Sequence, residues 1–392
     1  MDTIDPLITV AQRLWVERLV LTNFRNYAAA TLRFGPSPVV LVGHNGAGKT
    51  NLMEAVSLLA AGHGLRQAAY ADLARAPGAA GWSVAATLHT PTGPVDIGTG
   101  MAAGGAQGAR QGRIVRIDGE AQSGTGILAD LVEMVWLTPA MDGLFTGAAS
   151  DRRRFLDRLI LCFDPRYRTR LGHFERAMQS RNRLLADQVR DRTQFEGLER
   201  IMAETGVAIA AARLEAVGQL TSTIEQRRAR NPASPFPWAT LALEGRIETN
   251  LAKHAAVDVE EIYADELAAT RERDRAAGRT LTGPHRSDLV VGHGPKAMPS
   301  RLCSTGEQKA LLVGLVLAHA ELTGQRRDGV GPILLLDEIA AHLDPSRRAA
   351  LYDEVLRLGL QAWMTGTDLE PFQDLAGKAQ IFRVDDGRLE PL

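Results

Sequence analysis

The sequence predicts an α/β fold in which a mixed sheet with flanking helices is interrupted by an inserted, mainly helical lobe. Three observations carry this. Residues 39–42 are a continuous apolar run closed by Gly43, and the Gly- and Pro-free stretch 49–60 that follows has Leu52, Ala55, Val56 and Leu59 at helical spacing. Far downstream a second apolar run, Ile333, Leu334, Leu335 and Leu336, ends in Asp337 and Glu338. Between the two, residues 150–230 are rich in Arg, Leu, Ala and Glu and poor in Gly. Short apolar runs suit strands buried on both faces, and long Gly-poor stretches with 3.6-residue periodicity suit helices.

Taken in order, residues 15–21 alternate as a strand does, and 32–34 are its expected hairpin partner. Residues 82–88 and 114–117 read as short strands around the Gly/Ala-rich stretch 98–112. After the helical segment, Asn231-Pro232-Ala233-Ser234-Pro235-Phe236-Pro237 is a sharp break. A shorter helix over 259–277 leads to Thr282-Gly283-Pro284-His285-Arg286-Ser287-Asp288, after which strand-like segments resume. With 392 residues two lobes are expected. The predicted division is one discontinuous domain, 14–137 and 279–392, with a compact lobe at 138–278. No heptad run is long enough for an extended coiled coil.

Hydrophobic residues make up 45% and charged residues 23%, the balance of an ordinary globular chain. A formal net charge of -1 means that a nucleic-acid surface would have to come from local clustering. Cys162 and Cys303 are the only thiols and lack metal-ligand spacing, which argues against a zinc site and a disulfide framework. The start of the chain carries Asp2 and Asp5 and lacks a basic segment followed by a long apolar core. A soluble cytoplasmic protein with no membrane partner is expected.

The chemistry concentrates at the end of the first apolar run. Gly43, His44, Asn45, Gly46, Ala47, Gly48, Lys49 and Thr50 fit G-x-x-x-x-G-K-[ST] at every fixed position, between an expected strand and an expected helix. Glycines let the backbone curl so that N–H groups face phosphate oxygens. Lys49 supplies a point charge for the β and γ phosphates, and Thr50 offers a hydroxyl to Mg²⁺. Asn51 follows directly and joins the expected nucleotide-binding set. Asp337 is placed to hold Mg²⁺, and Glu338 to orient or deprotonate the attacking water. The expected cofactors are ATP and Mg²⁺. Ser304-Thr305-Gly306-Glu307-Gln308 opens a further helix: Ser304 and Glu307 form a capping box. The same helix N-terminus would also present donors to a γ-phosphate bound by another subunit.

These residues resemble the signature of ABC-class ATPases, with Thr305 and Glu307 where Gly and Gln are usual, and Ala341-His342-Leu343-Asp344 resembles the loop that follows the Mg²⁺-binding strand in that class. Leu21-Thr22-Asn23-Phe24-Arg25-Asn26-Tyr27, Arg152-Arg153-Arg154-Phe155-Leu156-Asp157 and Gly283-Pro284-His285-Arg286 with Asp288 resemble further blocks of the RecF family of bacterial recombination mediators. The resemblance runs from about Leu14 to the C-terminal segment. It implies an ABC-type P-loop ATPase head that dimerises head to head on ATP, with Lys49, Thr50, Asp337 and Glu338 of one subunit facing Ser304 and Gly306 of the other. It places Arg25 and Asn26 beside the nucleotide, in preference to the plainer reading of a strand-end turn. It further implies a slow ATPase stimulated by DNA, action at gapped or stalled replication sites, recombinase loading and support of the SOS response. The implied partners are duplex DNA and single/double-strand junctions, a homodimer, and the RecR and RecO mediators, in a nucleoid-associated setting. Two departures from the ABC pattern stand out: residues 135–139 carry no Gln, and residues 364–368 no switch His, leaving Thr365 or Thr367 as candidate γ-phosphate sensors.

Two other readings compete. An ABC transporter's ATPase subunit would place the phosphate loop and signature much closer in sequence and keep the switch His; an ATP-binding scaffold would bind without appreciable turnover. A last feature is basic. Residues 151–183 hold ten Arg and no Lys against four acids, an excess of six charges that could meet a DNA backbone or simply form a solvated, internally paired face.

Overall fold

The computed structural model describes residues 13–75, 81–102, 112–340 and 343–392. They form two compact units: Met1–Asp142 with Asn231–Pro237 and Thr305–Leu392, and Gly143–Arg230 with Trp238–Ser304.

The first unit contains two sheets. One is antiparallel, in the order Tyr27–Arg33, Trp15–Phe24, Gly81–Thr90, Gly93–Ala102, Ile114–Ile117, Glu120–Ala121. The hairpin partner expected at 32–34 is thus the end of a longer strand that begins at Tyr27. The other sheet runs Arg388–Pro391, Gln380–Asp385, Val39–Val42, Ala362–Gly366, Ile333–Leu336, Met134–Leu137. Its neighbours are parallel except for the edge hairpin Gln380–Asp385 with Arg388–Pro391. Every residue of the other four strands is buried, which explains their unbroken apolar character.

Two buried polar side chains tie these layers together. The Gln361 amide accepts from the Val16 N–H at 2.9 Å and donates to the carbonyls of Val16 and Gly35 at 3.1 and 2.8 Å. Arg113 donates to the carbonyls of Leu58 and Gly62, satisfying the chain as it leaves the helix Lys49–Ser57, and to the Thr99 hydroxyl at 2.6 Å. Fully buried Trp363 packs edge-on against Phe34, with ring centroids 4.5 Å apart.

The second unit is built from the helices Ala149–Leu161, Pro165–Ala186, Arg192–Arg230, Arg246–Leu251, Ala256–Ala269 and Arg271–Ala277. A small antiparallel sheet completes it, in the order Met298–Pro299, Asp288–His293, Ala239–Glu244. The longest helix has 39 residues and packs along Pro165–Ala186. No long coiled coil occurs among the described residues.

The unit boundaries differ from those expected at 137/138 and 278/279. Residues 279–304 belong with the helices because Asp288–His293 pairs with Ala239–Glu244, and because Arg152 holds Asp288 through two 2.7 Å hydrogen bonds. Asn231–Pro237 returns to the first unit, where the Pro235 carbonyl accepts from Arg347 Nε at 3.3 Å.

Arginines form the polar interior of the second unit. Arg181, with 0% of its side chain exposed, is held by Glu199 at 3.0 Å, Asp274 at 2.8 Å, the Thr280 hydroxyl at 2.8 Å and the Leu267 carbonyl at 2.8 Å. Arg213 reaches both oxygens of Asp157, at 2.8 and 2.9 Å, and donates to the Pro284 carbonyl at 2.6 Å. Breaking such a pair strands a buried charge. Arg181→Ala should therefore destabilise this unit by about 3–5 kcal/mol. Denaturant unfolding followed by circular dichroism checks it, and a wild-type midpoint would contradict the buried-ion account.

Candidate functional site

The parallel strands of the first unit place the predicted residues together. Strand Val39–Val42 ends at Gly43, whose N–H donates to the Gly366 carbonyl at 3.3 Å. A Cβ at Gly43 would lie 2.2 Å from the Val384 carbonyl oxygen, and one at Gly48, where φ is +113°, would lie 2.5 Å from Asn26 Nδ2. Only glycine fits either position.

Lys49 is 5% exposed and its Nζ donates to the carbonyls of Gly43 and His44, at 2.5 and 2.9 Å. Burial holds its pKa below the ordinary lysine value, while Glu338, Asp337 and Asp368 pull it back up. The ammonium thus sits inside the curl of the loop, within electrostatic reach of three carboxylates.

Hydroxyls organise Asp337 and the backbone of Glu338. Thr50 donates to Asp337 Oδ1 at 3.1 Å, Thr365 donates to the same oxygen at 2.7 Å, and the Glu338 N–H donates to Thr365 Oγ1 at 2.8 Å. Asp337 immediately follows its strand and is buried. Glu338 has φ +51°, in the left-handed region, and lines a cavity of ≈ 150 Å³ with Asn45, Gly46, Lys49, Thr50 and Arg66. Among the described residues no hydrogen bond reaches Asp337 Oδ2. The Thr50 hydroxyl with the neighbouring Asp337 carboxylate fits Mg²⁺, which takes few protein ligands and keeps water and phosphate oxygens. No cluster of three or more His, Cys, Asp or Glu side chains able to hold a metal occurs among the described residues.

A second cavity, ≈ 670 Å³, adjoins the first at Asn51 and is lined by Arg25, Asn26, Asp72, Arg75 and Asp386. Arg25 and Asn26 do border the loop, but with most of their donors engaged. Arg25 makes a bidentate pair with buried Glu54 of the loop helix, at 2.8 and 2.9 Å. Asn26 donates to the Ala47 carbonyl at 3.2 Å and accepts from Asn51 at 2.8 Å, and Asn51 in turn accepts from Arg66 at 2.9 Å. Tyr27 Oη donates to the Gly48 carbonyl at 3.1 Å. His44 is exposed; its ring lies 2.9 Å from the Asn45 carbonyl and 3.3 Å from Asp385, and these contacts raise its pKa in that order.

Sequence reasoning missed Arg66, Glu54 and the Asp385–Arg388 turn. The turn has φ +41° at Asp386 and +79° at Gly387, as a type I′ hairpin requires, and the Gly387 N–H braces the Ala47 carbonyl at 3.1 Å. Its Asp-Gly pair between strand-like runs was the available signal.

Ser304 is the last residue of the second unit, and Gly306 lies in the first turn of helix Thr305–Arg326 in the first unit. Ala341 and His342 lie outside the described residues; Asp344 caps the helix Pro345–Arg357 by accepting from the Arg347 N–H at 2.9 Å. Thr365 is fully buried and holds Asp337, so it is not free to sense phosphate, whereas Thr367 is exposed and donates to Asp368 at 2.7 Å. Of the basic run, Arg152 is paired with Asp288, Arg153 donates to the Ser287 carbonyl at 2.6 Å, and burial pushes the pKa of Arg158 down to about 10. In the turn after Gly283, the His285 ring lies 3.1 Å from the Thr280 carbonyl.

Comparison with known proteins agrees with this geometry. The model of the RecF/RecN/SMC N-terminal domain matches residues 15–387. The chain is 55% identical to the DNA replication and repair protein RecF of Mesorhizobium japonicum over 377 residues, covering 96% of this chain and 97% of that protein. It is 52% identical to the protein of the same name from Brucella suis biovar 1, covering 99% of each. A solved structure of the recombination mediator protein RecF-ATPrS in the RecFOR pathway superposes with TM-score 0.84 at 21% identity, covering 97% of this chain and 99% of that one. An Smc head domain of Pyrococcus furiosus, with an extended coiled coil, matches with TM-score 0.54 at 16% identity, covering 97% of this chain and 96% of that one. No helix among the described residues is long and apolar enough to cross a membrane.

Lys49→Ala removes the charge at the centre of the loop. Charge-assisted hydrogen bonds contribute about 1.5–3 kcal/mol each, so affinity for a fluorescent ATP analogue should fall roughly ten- to a hundredfold. Unchanged affinity in an equilibrium titration would remove the loop from the nucleotide site.

Proposed function

The chain belongs to the RecF family, and from that premise we propose that it is an ATP-gated dimeric DNA clamp acting in recombinational repair of gapped or stalled replication sites. The observation that carries the reading is that Lys49, Thr50 and Glu338 line one cavity from two distant segments, with Asp337 hydrogen-bonded to Thr50 at its edge. Such a constellation serves phosphoryl transfer, where catalysis is positioning and charge stabilisation.

In this reading the loop N–H groups and Lys49 bind the β and γ phosphates of ATP. Thr50 and Asp337 would hold Mg²⁺, which supplies charge neutralisation of the phosphates when bound. Glu338 faces the same cavity and accepts a proton from the attacking water. Its carboxylate lies close enough to Lys49 for each charge to feel the other.

The half-site logic supports dimerisation. Gly306 is not among the residues lining the phosphate-loop cavity. In the clamp, Ser304 and Gly306 present the N-terminus of helix Thr305–Arg326 to the γ-phosphate held by the partner subunit. ATP would close the dimer and hydrolysis release it, so a slow, DNA-stimulated turnover suits a timer better than a motor. Recombinase loading, support of the SOS response, and RecR and RecO as partners complete the proposal.

Two experiments test it. Glu338→Gln should keep ATP affinity, lose turnover, and double its solution mass by light scattering with Mg-ATP and short duplex DNA. Ser304→Arg should bind ATP and stay at single mass. Constant mass despite confirmed ATP binding would overturn the clamp in favour of a scaffold.

For DNA contact the exposed arginines Arg154, Arg166 and Arg176 are the proposed side chains, since Arg152 and Arg153 are committed internally. Neutralising those three should reduce the slope of log affinity against log salt by up to about 0.9 for each phosphate that is no longer neutralised. An unchanged slope in fluorescence anisotropy titrations would return them to solvated pairing.

A further inference from the structure

The strand Ala362–Gly366 lies between the phosphate-loop strand and the strand that ends in the carboxylates. Its register pairs Leu336 with Met364, so one step further Asp337 stands beside Thr365. On the other side Thr365 pairs with Leu41 of the phosphate-loop strand. Thr365 is fully buried, and its hydroxyl both donates and accepts. Its one hydroxyl proton goes to Asp337 Oδ1 at 2.7 Å, and its oxygen accepts the Glu338 N–H at 2.8 Å.

We propose that Thr365 is a positioning residue for ATP hydrolysis: its hydroxyl fixes which oxygen of Asp337 faces the metal and pins the backbone of Glu338, without touching the nucleotide. The inference rests on the hydrolytic reading of this site. Three features carry it. Asp337 Oδ1 accepts from both Thr50 and Thr365, which leaves Oδ2 as the oxygen free for a cation. Glu338 stands at φ +51°, a conformation that a β-carbon disfavours, and its N–H bond to Thr365 helps to hold it there. A hydroxyl has a single proton, so Thr365 cannot donate to a γ-phosphate and to Asp337 at once.

The direction of the chain therefore runs from the Glu338 N–H to Thr365, and from Thr365 to Asp337. A side chain that only filled space here could be valine. One that oriented the carboxylates must keep its hydroxyl.

The test compares Thr365→Val, which keeps the shape, with Thr365→Ser, which keeps the hydroxyl. ATP affinity measured without divalent cation should stay within about threefold of wild type in both. Single-turnover hydrolysis should fall on the order of 10- to 100-fold in Thr365→Val, the range seen when partners of metal ligands are removed, and return to within a few-fold in Thr365→Ser. Equal hydrolysis by Val and Ser variants would overturn the proposal. A loss of cation-free ATP affinity in Thr365→Val alone would also overturn it, because it would put the hydroxyl on the nucleotide.

A second readout needs neither metal nor nucleotide. Thr365→Val should lower the melting temperature of the free protein, and lower it less in an Asp337→Ala background; additive shifts would overturn the coupling. If wild type and Glu338→Gln turned over ATP alike, the hydrolytic reading would fail while this cycle still reported whether Thr365 holds Asp337. Should Thr365→Val not fold, Thr365→Ala carries the same comparisons.

Discussion

The carboxylate of Asp337 is the point on which the first unit's chemistry turns. It receives hydroxyl protons from Thr50 and Thr365, and so joins three segments that are far apart in sequence and adjacent in the sheet. A buried carboxylate without donors is costly to keep. Two hydroxyls on one oxygen satisfy that oxygen and leave the other open. The strand order makes this possible, because the strand between the two motifs carries Thr365 one step beyond Met364, the partner of Leu336. The site is thus a property of the parallel sheet, and neither motif alone contains it.

The phosphate loop is held as firmly from outside. Asn26 and Gly387 both donate to the Ala47 carbonyl, Tyr27 donates to that of Gly48, and Gly43 approaches Val384 too closely for any side chain. A loop whose carbonyls are engaged from behind turns its N–H groups forward, which is the polarity an anion requires. The early Arg25–Asn26–Tyr27 block therefore acts first as a brace. Arg25 does so through Glu54, fixing the helix whose N-terminus faces the loop. Contact with a nucleotide in the larger cavity would be an added role for side chains already in place.

How much of this was legible in the sequence follows from the range of each interaction. The phosphate loop, the apolar strands, and Asp337 with Glu338 were legible because their constraints are local: a glycine conformation, a strand period, a charge at a strand end. The bracing was not, since Glu54 reads as one more polar residue on a helix until Arg25 is seen opposite it. The basic run 151–183 left two readings open for the same reason. Density of charge says nothing of partners, and Arg152, Arg153 and Arg181 point inward to Asp288, a carbonyl, and the Glu199–Asp274 pair. The unit boundary at 304 was likewise hidden, because it is set by strand pairing between Ala239–Glu244 and Asp288–His293.

The left-handed backbone of Glu338 shows which demand prevails at the site. For a residue with a β-carbon this conformation costs roughly 1–2 kcal/mol, and glycine would relieve it. Glycine, however, would leave no carboxylate in the cavity. The Glu338 N–H bond to Thr365 offsets about 0.5–1.5 kcal/mol of that cost, and the same hydroxyl orients Asp337. The strain is therefore balanced locally by the group that organises the neighbouring carboxylate. A fold selected for stability alone would favour glycine after Asp337; the glutamate instead places a side chain in the cavity it shares with Lys49 and Thr50.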